Sequence, residues 1–140
     1  MWPRINGHRT LELGSPGDWR DELNRLVLAG TKTSTMGLLD DYARDGEETE
    51  HVGERLGLLG NDEDVVAWLT VTRFDTVRFD ELAGDFGAAV TDSCGEGFAD
   101  VDAYRAGYRR HWQAAGHEIF DDTLVTVLWF EVTEPVSSSA

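Results

Sequence analysis

The sequence predicts an α+β fold, a few helices packed around a mostly antiparallel, curved sheet. Three observations carry this. Trp19, Leu23, Leu26 and Val27 recur at helical spacing in one early stretch. Two β-rich runs, Arg55 to Leu59 and Val65 to Asp75, flank the turn Gly60-Asn61-Asp62-Glu63-Asp64 and read as a hairpin. Leu124 to Val132 is apolar on both faces at its centre, the pattern of a central strand. Helices and strands in this arrangement suit an α+β layering.

The elements follow in chain order. Arg4 to Thr10 alternates weakly and reads as a short strand or extended lead-in. Ser15 caps a first helix over about residues 16 to 29, with Pro16 at its first position and Gly30 as its stop. Thr31 to Thr35 is rich in hydroxyls at an element boundary. On its residues alone it reads first as a capping segment for a helix over Leu38 to Arg44, and second as a binding loop. The hairpin comes next. Phe79, Leu82, Ala83 and Phe86 fit a short helix, and Gly87 to Phe98 reads as a loop. Asp100 caps a helix from Val101 to about Ala115, with Tyr104, Tyr108, His111 and Trp112 near one face. Residues 1–134 form one domain, and 135–140 read as a loose polar tail.

Composition narrows the function. At 140 residues the chain suits one domain with a core of its own. No apolar run approaches the ~20 residues of a membrane span, and no signal-peptide pattern opens the sequence, so a cytoplasmic location is expected. The net charge of −15 argues against duplex DNA and long RNA, where phosphate neutralisation dominates affinity. It leaves room for a local pocket holding one nucleoside or a short single strand. Cys94 is the single cysteine, so no internal disulfide forms. Its neighbours Asp92 and Glu96 do not activate a thiolate, and it reads as a tolerated small residue in a loop.

Classical motifs are absent. There is no Gly-rich dinucleotide loop, no Walker loop and no H-E-x-x-H, so no cofactor is expected. The acidic turn at residues 61–64 lacks calcium-loop spacing. His8, His51, His111 and His117 lack zinc spacing with one another or with Cys94, so no metal is expected. The basic residues are eleven arginines and one lysine, Lys32. Lysine, unlike arginine, loses its proton readily when desolvated, so a lone lysine is a candidate for chemistry.

Gly30-Thr31-Lys32-Thr33-Ser34-Thr35, directly after the first helix, resembles the G-x-K-x-x-T signature of the ASCH family. The opening Trp2-Pro3-Arg4-Ile5-Asn6-Gly7, the stretch Val52 to Leu56, the Gly95-Glu96-Gly97 loop, the Tyr104 to Trp112 helix and the closing Val127 to Phe130 resemble counterparts in larger bacterial members. The resemblance covers nearly the whole chain. It implies a PUA-like β-barrel with flanking helices and a cleft for a nucleoside or RNA nucleotide. Some relatives deacylate N4-acetylcytidine with the motif lysine, the motif threonine and a later glutamate. The resemblance then implies Lys32, Thr35 and Glu96 as catalytic residues; Arg4, by its residue type, and Ser34, Tyr108 and His111 are the expected substrate contacts. Several relatives carry arginine two residues after the motif threonine, where this chain has Gly37.

The chemistry is coherent. Amide hydrolysis needs a nucleophile, a base and a donor for the leaving amine. Thr35 would attack the acyl carbon, with Lys32 on the same side if the segment turns helically. A desolvated Lys32 would accept the threonine proton, while Glu96 holds the lysine or donates to the amine. An ionised Glu96 keeps the lysine charged, so the base role needs the pair to share a proton or to stay apart until substrate binds. Backbone N–H groups of a helix starting after Thr33 would serve the oxyanion. Two alternatives stand beside the hydrolase. One is a single-stranded RNA-binding module or ribonuclease using Arg105, Arg109 and Arg110, residues that read first as the solvated face of an amphipathic helix. The other is a nucleoside sensor without turnover.

Overall fold

The computed structural model describes residues 2–136. Its chain order is β1 (Arg4–Ile5), β2 (His8–Leu11), α1 (Asp18–Leu28), β3 (Ser34–Leu38), α2 (Leu39–Arg44), β4 (Arg55–Leu59), β5 (Val65–Arg78), a single 3-10 turn (Phe79–Glu81), α3 (Gly84–Cys94), α4 (Val101–Ala114) and β6 (Leu124–Pro135). The six strands form one sheet in the order β1-β2-β4-β5-β6-β3. All neighbours are antiparallel except β2 and β4, which run parallel through Thr10 opposite Gly57. The sheet curves but does not close, so β1 and β3 are free edges and the expected barrel is an open one.

β5 is the backbone of this sheet. Its first half pairs with β4, and Ala67 to Arg78 pair with β6. Fourteen residues serve both because two irregularities, at Trp68/Leu69 and Val71/Arg73, bend the strand. β6 is apolar on both faces because it is buried on both faces. Val125 and Val127 pack with Leu82, Val90 and Tyr104 beneath α3 and α4. Leu128 and Phe130 pack with Leu23, Val27 and Leu69 beneath α1. Two half-cores thus share one strand.

The element boundaries depart from expectation in places with clear causes. Helix α1 starts two residues late, its N-cap is Gly17, and no side chain caps it. Trp19 is not in the buried stripe; it is 43% exposed at the lip of a cavity. The expected short helix over Phe79 to Phe86 is only a turn. The expected loop beyond it is mostly helix α3. Gly84, Gly87 and the β-branched Val90 and Thr91 hide the helical period there. Gly87 is required by packing: a Cβ would stand 2.9 Å from the Leu82 carbonyl carbon and 2.9 Å from Val101 Cγ2. The expected tail is partly structured. Pro135 closes β6, and the Val136 N–H donates to the Val66 carbonyl; residues 137–140 lie outside the described residues.

Candidate active site

The site begins at the end of α1. Gly30 takes a left-handed φ of 76°. Its N–H donates to the Val27 carbonyl, and the Thr31 N–H reaches back to the Leu26 carbonyl. This is the paired closure of a Schellman stop. The Lys32 N–H also donates to the Leu26 carbonyl, which fixes the backbone at the lysine. The chain then enters β3, a strand where a helical turn was expected. Its Thr33 N–H is spent on the Ser93 carbonyl, so no helix start is available there for an oxyanion.

The end of α3 closes on this segment. Gly95 has φ 68°, and a Cβ on it would stand 2.2 Å from the Thr31 carbonyl oxygen and 2.9 Å from Lys32 Cα. Only glycine permits that approach. The Ser34 and Ser93 hydroxyls bond at 2.6 Å and tie the same seam. Ser34 is fully buried in this role and does not line the cavity.

Lys32 is 1% exposed. Its Nζ donates to Glu96 Oε2 at 2.8 Å and to the Cys94 carbonyl at 3.2 Å, and sits 3.6 Å from Cys94 Sγ. Glu96 Oε2 also accepts from Cys94 Sγ at 2.9 Å and from the Tyr108 hydroxyl at 3.4 Å. All three donors converge on one oxygen. Among the described residues none bonds Oε1. Burial pushes the Cys94 thiol up to about 12, with Lys32 opposing. Cys94 is therefore a fully buried donor at the end of α3, not an exposed loop residue. Burial likewise raises the Tyr108 phenol, and the Thr35 hydroxyl lies within its reach.

These groups line a cavity of about 170 Å3, with Lys32, Thr35, Glu96, Tyr108 and His111 on its walls. Lys32 reaches it from the loop before β3 and Thr35 from within β3, so a strand achieves what a helical turn was expected to do. Trp19 stands edge-on to His111, ring centres 5.1 Å apart, and Phe98 and Trp112 add apolar wall. Arg20 is buried without a carboxylate; it donates to the carbonyls of Leu13 and Gly14 and pins the loop forming one lip. No signal in the sequence separated it from a surface arginine.

A second cavity, about 270 Å3, adjoins the first and shares Glu12, Leu13, Thr35 and Met36 with it. Its floor holds Glu50, whose Oε1 accepts the Tyr42 hydroxyl at 2.6 Å. Burial raises the Glu50 carboxyl pKa and, more strongly, that of the Tyr42 phenol. Gly37 and Thr126 form another wall. No sequence pattern links Glu50 to Tyr42, because they stand eight positions apart across a helix end and a loop. Arg4 lines neither cavity. It forms two bonds to Glu47, at 2.7 and 2.8 Å, and this pairing lowers the Glu47 carboxyl to about 2.

Of the arginines on α4, Arg105 and Arg109 both stack on the Phe79 ring at 4.9 Å. Among the described residues no group of three His, Cys, Asp or Glu is placed to hold a metal. No helix among them is long and apolar enough to cross a membrane.

Comparison with known proteins agrees with the fold and the motif. No curated protein matches by sequence. Among solved structures, protein EF3133 from Enterococcus faecalis is similar with a TM-score of 0.74 and 19% identity, over 89% of this chain and 75% of that one. The ASCH domain from Lactobacillus crispatus is similar with a TM-score of 0.71 and 19% identity, over 91% and 82%. A point mutant of the ASCH protein from Zymomonas mobilis aligns with a TM-score of 0.53 and 13% identity, over 84% and 68%. At these identities the likeness concerns the fold. The ASCH domain family model matches residues 11–134, nearly the whole described chain, and the chain belongs to the ASCH domain family.

Proposed function

We propose that the chain is an amidohydrolase that removes an acyl group from the exocyclic amine of a nucleoside, N4-acetylcytidine or a close analogue. The observation that carries this reading is the buried Lys32–Glu96 ion pair on the wall of a cavity that Thr35 also lines. The aromatic walls from Trp19, Phe98 and Trp112 suit a planar base.

The 2.8 Å pair recasts the roles. A lysine held by a carboxylate is a cation, suited to the developing oxyanion rather than to proton abstraction. Two of its three N–H groups are committed to Glu96 and the Cys94 carbonyl; the third meets only the weakly accepting Cys94 sulfur. Glu96, with Oε1 open, takes the proton as the Thr35 hydroxyl attacks the acyl carbon. It returns that proton to the departing amine as the C–N bond breaks. Water then cleaves the threonyl ester, yielding the free acid and Thr35.

The RNA-binding alternative has less support, since Arg105 and Arg109 lie on Phe79 and Arg4 on Glu47. The test is release of cytidine from N4-acetylcytidine by the purified protein. Lys32→Ala and Thr35→Ala are each expected to lower kcat/KM by at least ~100-fold. No turnover, or turnover indifferent to both substitutions, sinks the reading.

A further inference from the structure

The second cavity is not absorbed by this chemistry. Taken alone, each cavity falls below the ~300 Å3 at which ligand pockets begin, and together they pass it. Thr35 is on the wall common to both. A substrate attacked at Thr35 must therefore place one side of its scissile bond in each lobe. The aromatic lobe holds the Lys32–Glu96 pair and suits the base. The larger lobe is left for the acyl group, and it is far roomier than an acetyl methyl needs.

The larger lobe is walled mainly by apolar side chains, and the charged groups set into it, Glu12 and Glu50, are both acidic. Glu50 is 7% exposed on its floor, and Tyr42 is the only side chain among the described residues that donates to it. Glu12 stands on the ridge between the lobes, and no hydrogen bond or ion pair engages its carboxylate among the described residues. The nearby cations are already committed. Arg9 pairs with Glu54 at 2.6 Å and Glu47 at 3.7 Å, and Arg4 pairs with Glu47. The buried hydroxyl of Thr126 adds a further acceptor. Gly37 keeps the lobe open: a Cβ there would already stand 3.1 Å from Thr126 Oγ1. A buried carboxyl held by a neutral phenol, beside the exposed carboxylate of Glu12, is matched by a compact cation with several N–H donors.

We propose that this second lobe is an acyl subsite for an ammonium-bearing chain, so that the preferred substrate is an aminoacyl amide of the nucleoside rather than the acetyl amide. The proposal rests on the amidohydrolase reading for the position of the scissile bond, but not for the chemistry of the lobe. Glu50 and Glu12 receive the ammonium, Thr126 and Tyr42 orient it, and the acyl carbon stays over Thr35.

Three probes test it at pH 7: cytidine carrying an N4-(3-aminopropanoyl) group, its neutral isostere N4-butanoyl, or the anionic N4-succinyl group. Calorimetric binding to the Thr35→Ala protein and hydrolysis by the unaltered protein are read side by side. The amino probe is expected to bind at least ~10-fold more tightly than the neutral one, and the succinyl probe more weakly than either. Glu50→Gln is expected to bring the amino-to-neutral ratio toward one. Gly37→Leu, which fills the lobe, is expected to do the same, and circular dichroism with thermal unfolding shows whether each variant is folded. Tighter binding of the amino probe without turnover of any probe sinks the hydrolase reading and leaves the subsite standing. Equal binding of the amino and neutral probes overturns the subsite, whatever the turnover; so does a charge preference that survives Glu50→Gln in a folded protein.

Discussion

Two carboxylates, a half-buried Glu96 and a buried Glu50, face adjoining cavities, and their partners differ. Glu96 is held by a cation, Lys32, at 2.8 Å. Glu50 is held by a neutral phenol, Tyr42, at 2.6 Å. The cation gives Glu96 Oε2 an opposite charge at hydrogen-bond distance. The phenol gives Glu50 one hydrogen bond but little compensation for lost hydration, so burial raises its pKa. One cavity holds a carboxylate paired with a cation, while the other holds a carboxyl whose one side-chain donor among the described residues is neutral. The difference is set by two backbone decisions: the Gly30 stop that delivers Lys32, and the Gly95 bend that delivers Glu96 to it.

The largest way to break the contrast is Lys32→Met, which strips Glu96 of its cation. Removing one member of a buried pair costs about 3–5 kcal/mol, here nearer the lower end because Glu96 is partly exposed. Urea unfolding of Lys32→Met and of Lys32→Met with Glu96→Gln checks this. The double variant is expected to recover most of the stability, because no uncompensated charge remains, and none of the activity. If it is as unstable as the single variant, the pair is not the cause.

Gly95→Ala breaks the same side through the backbone. A left-handed φ costs a non-glycine residue ~1–3 kcal/mol, and here the new Cβ also collides with the Thr31 carbonyl. A loss of about 3 kcal/mol is expected in chemical denaturation, with hydrolysis falling further than stability alone explains because Lys32 is displaced. An alanine variant with unaltered stability would show that the seam between α3 and β3 is looser than described.

Glu50→Gln sharpens the other side. Its folded pKa is raised, so the carboxyl contributes stability below its unfolded value, and that contribution is lost as pH rises through the folded value. Glutamine keeps an acceptor for Tyr42 and has no proton to lose. Thermal unfolding is therefore expected to show Glu50→Gln gaining on the unaltered protein as pH climbs from the ordinary carboxylate range toward neutrality. A constant difference across that range would mean that Glu50 titrates normally.

Much of this was legible in the sequence, and the exceptions have causes. The hairpin, the Asp100 cap on α4 and the two-sided apolar β6 were readable because each is a local pattern. So was Lys32 with Gly30 before it. Thr35 and Glu96 came only through the family likeness, since β3 and the end of α3 lie 60 residues apart. Helix α3 was hidden by glycines that tertiary packing demands and local propensity opposes. The Glu50–Tyr42 lobe left no pattern, because it is assembled from the segment before β1, β2 and the loop after it, β3, α2, the loop before β4 and β6, one to three residues from each.

The smallest effect concerns Cys94, which touches the Lys32–Glu96 side of the comparison. Its thiol is pushed up to about 12 by burial, while the Lys32 charge pulls the other way. Only a minute thiolate fraction then exists at pH 8, and the thiolate is the reactive form. The folded protein is expected to react with a thiol-specific disulfide reagent far more slowly than an unfolded control. Lys32→Met removes the nearby positive charge that favours the thiolate, so the folded rate should fall further as long as the fold holds. If the rate instead rises in a variant that is still folded, Lys32 shields Cys94 by packing rather than acting on it through charge, and the Lys32–Glu96 side is held by contact more than by electrostatics.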